Sequence, residues 1–408
     1  MITPPECTQA YNRGCKYLNA NNHERALVYF KKALAIHPFK ELYLNMGNCY
    51  RILNNDKKAI ECYQLANKPS VLFHEGHTSE YDLALNNLGL MHYMQGQDNV
   101  ALEIYERALA INPDYYDCWW NKSTALLRQA SSGKIELFPL AWSLYEYRFL
   151  KSPPVQLRNS KPGLNPWDGV TPITSIIVMA EQGIGDNFMW ARYIPQLQQL
   201  VPEVWVQCNS DMADMFKSLG VRTLQHTSEC DTMHAITMGS LSKMFPGIPD
   251  GEWLKSYGET HAFDSTKYNI GIVHAGSNTH ANNRNRSIPV HRFHSLAKYA
   301  QLYCLSPGFK STKFVQALDI TSWEATIKYI RGLDLVITVD TSIVHLCGCL
   351  GVECWMLQPL KETDFRWGDE SMGSKNLWYP SVKVYRNPNS WDIVFDNVLQ
   401  DLKDRLYA

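Results

Sequence analysis

Apolar and small residues recur along the first 150 positions with helical spacing and a period that belongs to no single helix. Aligned on Gly14, the first copy has Tyr17, Ala26, Phe30, Ala33 and Pro38. The offsets return as Gly47, Tyr50, Ala59, Tyr63 and Ala66, and again as Gly89, His92, Ala101, Tyr105, Ala108 and Pro113. A fourth, degenerate copy runs from Trp119 through "AWSLYEYRFL" at 141–150. Small residues at these positions let two antiparallel helices approach closely, the aromatic is expected to fill the gap between neighbouring pairs, and proline ends the second helix. Such units cannot bury their apolar faces singly, so they stack into a curved solenoid with a concave groove. After Leu150 the texture changes: "KSPPVQLRNSKPGLNPWDG" is a boundary segment rich in Pro, Gly and Asn. Beyond it, short apolar runs at 175–180, 203–207, 269–273, 301–305 and 335–339 alternate with helical stretches, which predicts parallel sheets with helices on both faces. The final "WDIVFDNVLQDLKDRL" predicts an amphipathic closing helix.

The 408 residues suffice for two or three cores, and Lys+Arg 39 against Asp+Glu 40 leaves a formal charge of −1. That balance offers no general attraction to a phosphate polymer and makes nucleic acid an unfavoured partner. Eleven scattered cysteines without a Cys-x-x-Cys pair fit reduced thiols in a cytoplasmic compartment. The N-terminus lacks the pattern of a signal peptide, and no apolar stretch approaches the roughly 20 residues of a membrane span. His74 and His77, in an insertion between the second and third copies, read as loop histidines rather than metal ligands.

Three strand ends carry candidate chemistry. In "EQGIGDNFMWARYIPQL", Gly183 and Gly185 permit a tight turn and close approach, and Asp186 stands at the head of the next helix, where the macrodipole favours its charge. By itself this Asp is equally a helix cap. In "DLVITVDTSIVHLCGCLGVECWML", a strand ends at Asp340, Thr341 and Ser342 open a helix, His345 shares a face with Thr341, and Gly351 stops it. Hydroxyls, free amides and an imidazole there suit a diphosphate, although a cap with a core histidine reads the same way. "VHAGSNTHANNRNRSIP" adds Gly276, Ser277, Arg284 and Arg286, whose guanidiniums suit a phosphate or plain solvent. The common product of the three clusters is an anion-binding cleft. Aromatics in "DFRWGDESMGSKNLWYP" suit either a sugar-facing loop or closure of that cleft.

The repeats resemble the tetratricopeptide (TPR) family. "EQGIGDNFMWARYIPQL", "RNRSIP", "LDLVITVDTSIVHLCGCLG" and "WYPSVKVYRNP" resemble glycosyltransferase family 9, the ADP-heptose:lipopolysaccharide heptosyltransferase-like domain, in the branch that follows TPR repeats; "AWSLYEYRFL" and "PWDG" match its junction. The resemblance implies a TPR solenoid over 1–150, a linker over 151–170, and a GT-B architecture of two Rossmann-like domains at 171–262 (acceptor side) and 263–408 (donor side). The closing helix in such proteins often crosses back to the first domain. An inverting transfer from a nucleotide-sugar donor is implied, without metal or other cofactor, to a protein or glycan acceptor recruited by the TPR groove. Asp186 would be the general base; Gly276, Ser277, Arg286, Asp340, Thr341, Ser342 and His345 would hold the donor, beside the Gly183–Gly185 loop. Ser342 replaces the family's usual glycine, Asn187 and Met189 replace a common threonine and glutamine, and "LYCLSPG" offers no acid after the middle strand, so a heptose donor does not follow. The alternative is an interaction scaffold that keeps a nucleotide-binding transferase fold without turnover.

Overall fold

The structure, a computed structural model, describes residues 3–73, 81–157, 160–277, 280, 282–359, 361, 363–387 and 390–407. His74 and His77 lie outside the described residues. The chain forms two compact units, Met1–Leu126 with Leu150–Pro153, and Leu127–Phe149 with Pro154–Ala408.

The first unit is built from antiparallel helix pairs: α1 (Pro5–Asn19) with α2 (His23–Ile36), α3 (Lys40–Ile52) with α4 (Asp56–Ala66), and α5 (Asp82–Met94) with α6 (Asp98–Ile111). The periodic glycines explain the pairing. A β-carbon on Gly14, Gly47 or Gly89 would stand 2.4, 2.5 or 2.5 Å from the ring of Phe30, Tyr63 or Tyr105, sixteen positions on. The aromatic therefore fills the space left by the glycine of its own pair, rather than the gap between neighbouring pairs that the sequence suggested. Ala26, Ala33, Ala59, Ala66, Ala101 and Ala108 are fully buried beside these rings. Each tight turn falls seven residues after its glycine, at Asn21, Asn54 and Gly96, all with positive φ. These are the residue types that tolerate the left-handed region. Asn22 and Asn55 then cap the following helices by accepting from the amides of Arg25 (3.1 Å) and Lys58 (3.2 Å).

Helix α7 (Tyr116–Ser131) begins in the first unit and ends in the second, which also contains α8 (Phe138–Tyr145) and the turn Glu146–Phe149. The segment that reads as a fourth copy is thus divided. Its second half joins the α/β body because Trp142 packs edge-on against Phe365 and Trp378, with ring centroids 5.8 and 6.3 Å apart.

The rest of the second unit holds two all-parallel sheets, a GT-B-like pair of Rossmann-like folds. The first comprises β1 (Asn165–Pro166), β2 (Ser175–Met179), β3 (Glu203–Gln207), β4 (Arg222–Leu224) and β5 (His234–Thr237), in the order β1-β5-β2-β3-β4. Helices α9 (Ile184–Trp190), α10 (Ile194–Gln198), α11 (Ala213–Lys217) and α12 (Leu241–Met244) belong to this half. The second sheet comprises β6 (Asn269–Val273), β7 (Gln301–Cys304), β8 (Val315–Ala317), β9 (Leu335–Val339), β10 (Cys354–Gln358) and β11 (Val382–Arg386), in the order β11-β10-β9-β6-β7-β8. With it go α13 (Asn283–Arg286), α14 (Trp323–Gly332), α15 (Ser342–Leu350) and α16 (Trp391–Tyr407). Every residue of β6, β9 and β10 is buried, as expected of strands covered on both faces, and this accounts for their unbroken apolar runs. Helix α16 buries Val394, Phe395, Val398 and Leu402 in the core of the six-stranded sheet, together with Phe293 and Val339, so its apolar face stays with the second sheet.

In both sheets the order in which strands are added reverses beside the first central strand, between β2 and β5 and between β6 and β9. Such switch points are where open α/β sheets form crevices at their carboxyl edge. In the first sheet the crevice is filled from within. Arg148 donates bidentately to Glu181 (2.8 and 2.8 Å), and also to Thr237 (3.0 Å), Ser240 (2.9 Å) and Glu146 (2.5 Å). The side chains of Arg148 and Glu181 are both wholly buried. In the second sheet the crevice is open.

Candidate functional site

The open crevice is part of a cavity of about 840 Å³. Strand β6 runs out into Ala275, Gly276 and Ser277, and β9 into Asp340, Thr341 and Ser342, so two of the sequence-predicted clusters meet at the switch point. The third, Gly183, Gly185 and Asp186, reaches the same cavity from the first sheet. The ten residues that the family resemblance places at the site therefore line one space: Gly183, Gly185, Asp186, Gly276, Ser277, Arg286, Asp340, Thr341, Ser342 and His345. Arg284 is not among the lining residues.

Close backbone approach brings the two halves together here. A β-carbon on Gly185 would lie 2.8 Å from Cδ2 of His345 and 3.2 Å from Cα of Ser342. Only a glycine lets the start of α9 rest on the start of α15. Thr341 caps α15, its hydroxyl accepting from the amide of Ile343 at 3.4 Å, and Gly351 ends the helix in the left-handed region (φ 66°). Gly276 has an analogous part: a β-carbon there would stand 2.4 Å from Nη2 of Arg286. The guanidinium lies against this bare backbone, donates through Nη1 to the carbonyl of Asp340 (2.7 Å), and keeps a buried Nε without a partner among the described residues.

Asp186 is held on both oxygens. Oδ2 accepts from the amide of Gly183 at 2.8 Å, a cap on its own helix, while Oδ1 pairs with Nη2 of Arg366. Arg366 in turn donates through Nη1 to Asp364 (2.7 Å) and through Nε to Sδ of Met189 (2.8 Å). The side chain of Arg366 is 5% exposed and that of Asp186 21%, so the carboxylate keeps an open edge while the cation does not. Burial raises the Asp186 carboxyl above the usual carboxylate range; Arg366 opposes the rise and Asp364 adds to it. Burial, then the neighbouring Asp364 charge, pushes Asp340 up to about 7 against the pull of Arg286. His345 is held well below the ordinary imidazole range, first by burial and then by Arg366 and Arg192, so it is neutral at physiological pH.

The lining includes four aspartates (186, 211, 340 and 364) against two arginines (286 and 366), so the cavity is not a uniformly basic pocket. The lining groups chemically suited to an anion are Arg286 and the α15 N-terminus. A further part is lined by Leu305, Ser306, Pro307, Thr321, Ser322 and Trp323, a mostly neutral surface after β7 and at the head of α14. Arg366 and Asp364 are the site residues that sequence reasoning missed. They sit in the segment noted for its aromatics, and those aromatics are buried: Phe365, Trp367, Trp378 and Tyr379 are at most 5% exposed, and none lines the cavity. Among the described residues no group of three or more His, Cys, Asp or Glu is arranged to hold a metal ion, and no helix is long and apolar enough to cross a membrane.

Residues 41–114 match the tetratricopeptide repeat family. Human protein O-mannosyl-transferase TMTC3 is 26% identical over 125 residues, a stretch that is 29% of this chain and only 14% of that protein. Among solved structures, MamA of Desulfovibrio magneticus RS-1 is similar at 16% identity, covering 36% of this chain and 82% of that one, with a TM-score of 0.30. The Sgt2 TPR domain of Aspergillus fumigatus is 20% identical, with coverage of 30% and 79% and a TM-score of 0.27. The first TPR of Spaghetti (RPAP3), solved bound to an HSP90 peptide, is 19% identical, with coverage of 32% and 98% and a TM-score of 0.28.

Proposed function

We propose that this chain is a cytoplasmic, inverting glycosyltransferase of the family 9, heptosyltransferase-like kind. In this reading residues 171–262 form the acceptor side, 263–408 the donor side, and the TPR groove recruits a protein or glycan acceptor. The observation that supports it is the convergence of an acid on one strand end with a guanidinium and a helix N-terminus on two others, around a space of about 840 Å³. The similarity to TMTC3 spans too little of that protein to carry the activity, so the reading rests on the cavity.

The chemistry follows from the residues. An acceptor hydroxyl gives its proton to Asp186 as its oxygen attacks the anomeric carbon, and the bond from that carbon to the donor diphosphate breaks on the opposite face. The departing diphosphate keeps the electron pair, and its charge is met by Arg286 and by the free amides and hydroxyls of Thr341 and Ser342. No metal is needed to balance the step. Before it can accept a proton, Asp186 has to loosen its pairing with Arg366.

That same pairing favours a second reading, in which donor binding persists but Asp186 is locked and the chain serves as a scaffold. Incubation with a panel of nucleotide sugars, with calorimetry and product analysis, separates the two. Saturable binding lost in Arg286→Ala, with turnover lost and binding kept in Asp186→Asn, is the expected result. Binding without turnover in the unaltered protein would select the scaffold, and no binding to any donor would refute both.

A further inference from the structure

His345 is attached to more than its own helix. Gly348, one turn along α15, is the seat of the Tyr379 ring: a β-carbon there would lie 2.1 Å from Cδ1 of that ring. Seated so, the Tyr379 hydroxyl stands 3.0 Å from Nδ1 of His345, and the two rings meet edge to face with centroids 5.7 Å apart. Trp367 covers the imidazole at 5.4 Å, tilted by 32°. The ring is 6% exposed and lines the cavity, and its Cδ2 edge, the one bearing Nε2, faces Gly185.

The charges around this pair decide where the single imidazole proton sits. Arg192 is 2% exposed, lies 4.8 Å over the Tyr379 ring, and donates to the carbonyls of Met189, Pro249 and Trp378; no carboxylate pairs with it among the described residues. Arg366 approaches from the Asp186 side. Two buried cations and desolvation keep His345 neutral, with one N–H to place. The Tyr379 hydroxyl is itself buried and needs an acceptor. Its other partners are the Arg192 guanidinium, which can only donate, and the Cys349 thiol, which donates to the carbonyl of Phe188 (3.4 Å) and whose sulfur is a weak acceptor. Were Nδ1 protonated, the phenolic hydrogen would have no good acceptor; with Nδ1 bare, both rings are satisfied.

We propose that Tyr379 is a positioning residue that fixes His345 as its Nε2–H tautomer, so that a neutral hydrogen-bond donor is delivered into the cavity for a phosphate oxygen of a nucleoside diphosphate. The choice of ligand rests on the donor reading above; the tautomer does not. A neutral donor suits this position because Arg286 already supplies a full positive charge to the cavity, while Arg366 is paired with Asp186 and Asp364.

The test uses the full chain labelled with 15N-histidine and no ligand, reading ring protonation from long-range proton–nitrogen correlations and assigning His345 by its loss in His345→Gln. The expected spectrum has a protonated Nε2 and a bare Nδ1, unchanged between pH 8 and pH 5.5. Tyr379→Phe keeps the ring on Gly348 and is expected to give a mixture of tautomers, with affinity for ADP or UDP reduced about tenfold, the loss of one hydrogen bond to a charged group. A protonated Nδ1 in the unaltered protein, an imidazolium at pH 7, or a Tyr379→Phe spectrum identical to the original would overturn the assignment. An unaltered protein with the expected tautomer that binds neither ADP nor UDP would overturn the donor reading alone.

Discussion

Replacing Arg148 by methionine removes the guanidinium from the first-sheet crevice while keeping a side chain of similar length. Among the described residues Glu181 would then retain the amide of Gly239 (2.9 Å), the hydroxyl of Thr237 and a long contact from Gln182 (3.4 Å), all neutral donors, in a site with no solvent. Removing one partner of a buried pair costs about 3–5 kcal/mol, because the remaining charge stays desolvated. Removing both in Arg148→Met/Glu181→Leu should restore most of that loss, since the pair's attraction largely offsets its own desolvation. In the unaltered protein burial opposes ionisation of Glu181, but Arg148 prevails and holds the carboxyl below its usual range. Its stabilising contribution is therefore present above the unfolded value of about 4.3 and lost as pH falls through the lower folded value. In Arg148→Met desolvation is opposed by neutral donors alone and the folded value rises, so the penalty is full at pH 8 and relieved as Glu181 takes up a proton. Denaturant unfolding followed by tryptophan fluorescence at pH 8 and pH 5 reads both effects. A single variant within about 1 kcal/mol of the original, a double variant no more stable than the single, or a gap that fails to narrow at pH 5 would refute this account.

Asp340→Asn should stabilise the fold at pH 8 by up to about 4 kcal/mol, because a carboxyl raised to about 7 costs stability as pH climbs from its unfolded value near 4 through 7; the advantage should vanish by pH 4, as pH-dependent unfolding would reveal. Gly276→Ala places its β-carbon 2.4 Å from the flexible end of Arg286 rather than against backbone, so unfolding should shift by less than about 1 kcal/mol while nucleotide affinity measured by calorimetry falls roughly tenfold.

The helical repeats are legible because each requirement recurs: a bare glycine under a ring, alanines beside it, and a left-handed residue in the turn. Strands β2, β3, β6, β7 and β9 are legible as apolar runs bounded by polar segments. Strand β10 is not, since its Cys-Trp-Met-Leu follows Gly351 so closely that it merges with the apolar residues of α15. Strands β4 and β8 are three residues each, too short for alternation to register. At the cavity, Gly183 to Asp186 and Asp340 to His345 declare themselves by local order, a strand end followed by a helix start. Arg366 gives no such signal. It meets Asp186 across 180 positions, and in the sequence it is a lone basic residue between a phenylalanine and a tryptophan, indistinguishable from one in solvent. Arg148 and Glu181 are separated by 33 positions and two kinds of secondary structure, and no periodicity links them.

Where the chain can be cut follows from the division of the fourth helical copy. Residues Leu127–Phe149 look like the tail of the repeat array but supply Trp142 and Arg148 to the sheet-bearing body. Excision at the visible repeat boundary, after residue 150, would strip an aromatic wedge and a counterion from the fragment that remains. A piece starting near residue 127 preserves both, so the natural joint for dissecting this protein lies inside a helix rather than at its end.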